Sequence, residues 1–224
     1  MEKPENDWES QRNELVDHLI ERGYIETPGV ERSFRVVPRH RFVPAEVENR
    51  AYQDTPLNIG EGQTISAPHM VAMMTEMLEI ERGHKVLEIG VGRGYHAAIT
   101  AEIAGAENVY TMERHESLAK EARRNLNETG YCDVKVVVGD GSKGLPEFAP
   151  YDRIYVTCAA PEIPDSLVEQ LVGGEDERDT EGRMVVPVGR GSQTLYLVRK
   201  RGGEIFKDGQ AGVRFVPLKG DEGF

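Results

Sequence analysis

An α/β fold on a mostly parallel, twisted sheet is expected from three observations. From Lys85 to residue 157 strand-like and helix-like segments alternate. A glycine-rich turn, Gly90, Gly92 and Gly94, follows the first of those strands. Two apolar segments near the C-terminus, MVVPVG (184–189) and QTLYLVRK (193–200), are joined by a short RGS turn. Strands alternating with helices of this length make right-handed βαβ units and a parallel sheet; the last two segments read as an antiparallel hairpin.

Taken in order, residues 8–23 form a helix. Trp8, Leu15, Val16, Leu19 and Ile20 recur at helical spacing, and Gly23 stops the run. Residues 24–62 are rich in Pro and Gly, with short apolar pieces (SFRVVPRHRFVP, AYQDTPLNIGEG), and are expected as a segment packed on the core. Pro68 opens the next helix, HMVAMMTEMLEI, because proline is preorganised for a first helical position. Its methionines (70, 73, 74 and 77) read as core filler. KVLEI is a strand and YHAAITAEIAG a helix closed by Gly105. NVYTME is a strand and HESLAKEARRNLNETG a helix closed by Gly130. VKVVV and YDRIYVT are strands, and IPDSLVEQLVGG a further helix. EDERDTEG (175–182) reads as a solvated acidic loop.

Composition narrows the function classes. Asp and Glu total 39 against 27 Lys and Arg, a net charge of -12, and the cations are 8 Lys and 19 Arg. A carboxylate-rich, lysine-poor surface suits a salty cytoplasm, where screening weakens self-repulsion, so a halophilic source is expected. No basic stripe argues for nucleic acid. No apolar window approaches the ~18 residues of a membrane span, and the start, MEKPENDWES, lacks the regions of a secretory leader. A cytoplasmic location is therefore expected. Cys132 and Cys158 are too few for a disulfide framework. They read as inert buried thiols, one opening a strand and one ending a strand. No Cys/His ligand cluster suggests a metal.

The glycine turn narrows the ligand. A dinucleotide fingerprint is G-x-G-x-x-G; here the third glycine comes one residue early and Tyr95 takes its place. No Lys-Ser/Thr follows, so the phosphate-binding P-loop pattern fails too. Glu88, two residues before Gly90, would repel a pyrophosphate and attract an ammonium. Glu113 ends the next strand, where a carboxylate accepts from ribose hydroxyls, and Asp140 in GDG (139–141) follows the third, within reach of an adenine edge. The bland alternative is that these acids only cap helices. Three acids after three successive strands favour S-adenosyl-L-methionine, a nucleoside carrying an α-ammonium and a sulfonium. Gly90, Gly92, Gly94 and Gly141 then let the backbone approach it. The fold expected is that of class I S-adenosylmethionine-dependent methyltransferases, Rossmann-like, with a C-terminal antiparallel hairpin and an N-terminal helical extension.

Several motifs go further. VPRHRFVP (37–44), AYQDTPLNIGEGQTISAPHM (51–70), VLEIGVGRGY (86–95), VVVGDG, YDRIYVTCAAPEIP (151–164), MVVPVG and VRFVPL (213–218) closely resemble the protein-L-isoaspartate O-methyltransferase family over about residues 12–218. GQTISAPHM is the most specific. The resemblance implies methyl transfer to the free α-carboxylate of isoaspartyl residues in damaged proteins and peptides. The ester then closes to a succinimide without the enzyme. It implies Ser66 as the active-site residue, with Thr64 a second hydroxyl donor and Gln63 and Ile65 beside the cofactor. Val213, Arg214, Phe215 and Val216 would hold the substrate peptide. No His/Asp or Cys/His pair stands out and none is needed, because a carboxylate is already ionised at neutral pH. Locally, Ser66 reads equally well as a cap for the helix begun by Pro68.

A single methyltransferase domain over 1–224 is expected, with 1–62 a helical and loop segment and 63–224 the catalytic core. A monomer is expected. Arg93 and His96 stand where the resembled family more often has Ser and Gln, and Val71 where many relatives have His. Contacts to the cofactor from the C-terminus are in doubt because the chain ends soon after VRFVPL. His69 reads as a site-lining or a structural histidine. Two alternatives stay open: methylation of a normal Asp in a dedicated partner peptide, and a non-catalytic cofactor-binding module.

Overall fold

The computed structural model describes residues 7–174 and 180–224. Two helices lead, α1 (Trp8–Glu21) and α2 (Pro28–Val36), followed by two 3-10 turns, Arg39–Phe42 and Ala45–Arg50. A small hairpin, β1 (Leu57–Gly60) and β2 (Gln63–Ile65), precedes α3 (Pro68–Leu78). The alternating part is β3 (Val86–Ile89), α4 (Tyr95–Ala104), β4 (Val109–Glu113), α5 (Glu116–Glu128), β5 (Lys135–Val138), β6 (Arg153–Val156) and α6 (Asp165–Glu169). β7 (Gly182–Val188), β8 (Gln193–Arg201) and β9 (Glu204–Val213) complete the sheet.

The large sheet has the order β5-β4-β3-β6-β7-β8-β9. Its first five strands run parallel; β8 and β9 are antiparallel. A parallel sheet must be covered on both faces, and β3 and β6 are buried at every position. Val86, Val109, Tyr155 and Val185 face a core shared with Ala97, Ile99 and Leu118, which Val16, Leu19 and Phe34 of the leading helices extend. Leu87, Ile89, Ile154 and Met184 face a second core with Leu145, Tyr151 and Leu167.

Several expectations need correction. Residues 28–36 are helical: Pro28 sits in the first turn and Val30, Ser33 and Phe34 make one buried face. Residues 57–65 form a hairpin in which Leu57 and Ile59 point inward. The helix expected over 163–174 is regular only from Asp165 to Glu169. β9 was not foreseen, because it is exposed along most of its length and carries no apolar alternation; backbone pairing to β8 defines it. Cys132 is exposed and precedes β5 instead of opening it, whereas Cys158 is buried just past β6. Of the acidic loop 175–182, residues 175–179 lie outside the described residues, and Gly182 already begins β7.

Candidate functional site

The site lies at the carboxyl ends of β3, β4, β5 and β6, where open α/β sheets bind ligands. Three adjoining cavities meet there. The first runs from Gln63 and Thr64 past Gly90, Gly92 and Glu113 to Gly139, Gly141 and Leu218. The second is lined by Ser66, Ile65, Glu88, Gly90 and His96. The third is lined by Ser66, Thr64, His69 and the strip Val213, Arg214, Phe215 and Val216. Thr64 and Thr157 line all three. Apart from Gly94 and Asp140, the predicted cofactor, catalytic and substrate residues thus line these adjoining cavities.

The glycine turn forms the floor. Gly90 (φ +95°) and Gly92 (φ +55°) take backbone angles that L side chains rarely adopt, and a Cβ on Gly90 would lie 2.3 Å from Thr157 Oγ1. The Thr157 hydroxyl donates to Ile89 O and Gly90 O at 3.0 and 2.7 Å, tying β6 to the turn. Sequence reasoning missed Thr157; its signal was a polar residue directly after a strand. Gly141 also allows close approach, since a Cβ there would meet Ile89 Cγ2 at 2.7 Å. Gly94 lines none of the three cavities. It starts α4 and lets that helix pack on Leu126, 3.1 Å from where its Cβ would be.

The three acids differ. Glu113 lines the first cavity; its Oε2 accepts from Gly92 N–H and its Oε1 from His115 N–H, both at 3.0 Å. Each oxygen keeps a second lone pair. Glu88 is fully buried; Oε2 accepts from Thr111 Oγ1 at 2.7 Å and Oε1 has no partner among the described residues. Burial pushes its carboxyl up to about 8. Asp140 departs from the expectation of an adenine contact. Its oxygens accept from Ser142 N–H and Asp221 N–H, both at 2.9 Å, and the cavity wall passes through Gly139 and Gly141 on either side of it. Asp140 instead fastens the C-terminal tail. Lys143 pairs with Asp221 at 2.6 Å, Ser166 bonds Glu222, and Val216 to Lys219 become a wall of the cofactor cavity. The C-terminus therefore does contribute to the site.

On the opposite side, Ser66 does not cap α3: the cap position is Ala67, with no side-chain bond. The capping alternative falls, and the Ser66 hydroxyl has no partner among the described residues. Its carbonyl accepts from Arg39 Nη2 at 2.8 Å, while Arg39 Nε donates to Ala51 O at 2.9 Å. Arg39 is fully buried, its guanidinium 4.7 Å from the Tyr95 ring centre. It braces the loop that carries Ser66, a role its place in the short basic piece PRHRF conceals. Arg93 turns onto α5 and pairs with Glu121 at 3.0 Å. His96 Nε2 lies 3.0 Å from Thr75 Oγ1, and burial lowers its pKa to about 3, so the ring is neutral. A His/Asp pair does exist: His69 contacts Asp54 at 2.9 Å. The hairpin lines the first cavity through Ile59, Gln63 and Thr64, its tip residue Glu61 accepting from Ser117 Oγ at 2.7 Å.

The sequence pattern of the protein-L-isoaspartate(D-aspartate) O-methyltransferase family matches residues 10–223. The chain belongs to that family. A protein-L-isoaspartate O-methyltransferase of Methanopyrus kandleri is 54% identical over 217 residues, 95% of this chain and 93% of the relative. One from Methanococcus aeolicus is 49% identical over 211 residues, 94% of each. Among solved structures, a protein-L-isoaspartate O-methyltransferase superposes with a TM-score of 0.83 at 30% identity, over 95% of this chain and 67% of that one. Another, from Plasmodium falciparum and in complex with S-adenosyl-L-homocysteine, gives 0.81 at 28% identity, over 96% and 99%. The fold, the carboxyl methyltransferase class and the use of S-adenosylmethionine expected from the motifs therefore hold. The residues present fit that cofactor: a buried carboxylate oxygen without a partner suits its ammonium, and the turn at Gly90 has no room for a Cβ.

Proposed function

We propose that the joined chamber holds the methyl donor on the acid side and the isoaspartyl α-carboxylate on the hydroxyl side, with Ser66 and Thr64 as its donors. The observation that carries this division is the free Ser66 hydroxyl in a cavity that adjoins Glu88 on one side and the 213–216 strip on the other. S-adenosylmethionine supplies, when bound, an electrophilic methyl group on a sulfonium. Glu113 offers its remaining lone pairs to the ribose hydroxyls, and Glu88 Oε1 receives the ammonium. Gln63, Ile65, Gly90, Gly92 and Gly141 shape the rest of that side. Ser66 and Thr64 hold the substrate anion with neutral donors, which orient it without the quenching effect of a cation clamp. Val213, Arg214, Phe215 and Val216 support the flanking peptide. No side chain needs to take a proton. The protein's contribution is alignment and exclusion of water, on the order of 7–11 kcal/mol in well-oriented reactions.

Isoaspartyl proteins and peptides are the substrates of this reading. We place the enzyme as a single-domain monomer in the cytoplasm that does not bind nucleic acid, with its net charge of -12 suited to high salt. No helix among the described residues is long and apolar enough to cross a membrane. The test is transfer of a tritiated methyl group to a short isoaspartyl peptide and to its aspartyl twin. Base-labile label on the first alone supports the reading. Label on the aspartyl twin alone, or cofactor binding with no transfer to either, overturns it.

A further inference from the structure

His69 and Asp54 meet at the substrate side of the chamber. His69, the second residue of α3, lines that cavity with Ser66, Thr64 and Arg214. Asp54, ahead of β1, holds it twice: Oδ1 accepts from the His69 backbone N–H and from Nδ1, both at 2.9 Å. A carboxylate only accepts, so Nδ1 carries the ring proton. In the neutral ring Nε2 is then the acceptor, with no partner among the described residues. Tyr24 packs on the ring at 5.3 Å between centres. The result is a fixed acceptor in the cavity that the Ser66 and Thr64 hydroxyls also line, the pair assigned above to the substrate carboxylate.

Isoaspartate carries its free carboxylate and its amide N–H on the same carbon. In aspartate a methylene separates them. A carboxylate site and an N–H acceptor held at a fixed spacing therefore measure that difference. We propose that His69, oriented by Asp54, accepts the amide N–H of the isoaspartyl residue while Ser66 and Thr64 hold its carboxylate, making His69 a specificity-determining residue. This rests on the reading of the substrate side given above.

The test is a cycle of two changes: His69→Phe in the protein and N-methylation of the isoaspartyl amide in the peptide. Each alone is expected to lower kcat/KM about tenfold, the size of one hydrogen bond read by a built site. The effect lies mainly in peptide KM, with cofactor affinity within about twofold. Together they are expected to cost little more than either alone. His69→Gln, which keeps a donor for Asp54 and an acceptor for substrate, is expected to recover activity to within about threefold of the parent. Losses that multiply, or an unchanged KM in His69→Phe, overturn the proposal while leaving isoaspartyl methylation intact. If His69→Phe fails to fold, Asp54→Asn with the same two peptides takes its place: a multiplied loss there overturns it as well. Failure of the parent protein to methylate the unmodified peptide removes this proposal together with the reading beneath it.

Discussion

Around the glycine turn stand carboxylates that the protein already engages, whereas the Ser66 and Thr64 hydroxyls have no partner among the described residues. Glu113 is held by two backbone N–H groups and Glu88 by Thr111, all on the ends of buried parallel strands. Ser66 and Thr64 sit on the run from a two-stranded hairpin into α3, braced from behind by Arg39. On the proposed division of the chamber, the contrast follows from the charges of the reactants. A cationic donor needs fixed acids. A carboxylate nucleophile needs neutral donors that hold it without neutralising it. The first side is therefore set by the sheet, and the second by added segments that a generic α/β fold lacks.

The largest effect that would sharpen this contrast is expected at Ser66. Ser66→Ala should lower kcat on the order of 100-fold, the scale of one lost preorganised donor, with cofactor affinity by calorimetry within about twofold. Equal loss of both would erase the division. Glu113→Ala should do the reverse, weakening the cofactor about tenfold or more, as for a lost charge-assisted hydrogen bond, with peptide KM little changed. Unchanged cofactor affinity would remove Glu113 from the donor side. Glu61→Ala, which frees the hairpin tip from Ser117, should speed cofactor release in stopped flow by only about threefold, because an exposed polar contact contributes little. A change above about thirtyfold would mean that the hairpin, and not the sheet, holds the donor.

The donor side was largely legible in the sequence, because buried parallel strands leave continuous apolar runs and their ends show as glycines and acids. Asp140 is less legible: its place after a strand is plain, but that its oxygens accept from the tail depends on Asp221, 81 residues away. The packing role of Gly94 is hidden for the same reason, since only Leu126 of α5 reveals it. The hydroxyl side was harder. GQTISAPHM marks it by resemblance, yet the hairpin, the Arg39 brace and the Asp54–His69 contact each take one partner from residues 24–62, where Pro and Gly mask α2 and β1. Contacts between segments far apart in the chain carry no periodicity to read. β9 was hidden because exposed strands paired only through their backbone need no apolar pattern.

Glu88 tests the electrostatic basis of the contrast. Its folded value of about 8 lies above the ordinary 4.5, so the folded protein binds the extra proton between those values. The stability Glu88 permits is full below pH ~4.5, is lost as pH rises towards ~8 and then levels off. Melting curves of Glu88→Gln should lack that slope. The direct measurement is calorimetry of S-adenosylmethionine binding at about pH 7 in buffers of differing ionisation enthalpy. A cation arriving beside Glu88 Oε1 should make it give up its proton, so the parent protein is predicted to release about one proton more than Glu88→Gln. Equal proton release by the two proteins would contradict the assignment of the donor's positive charge to Glu88.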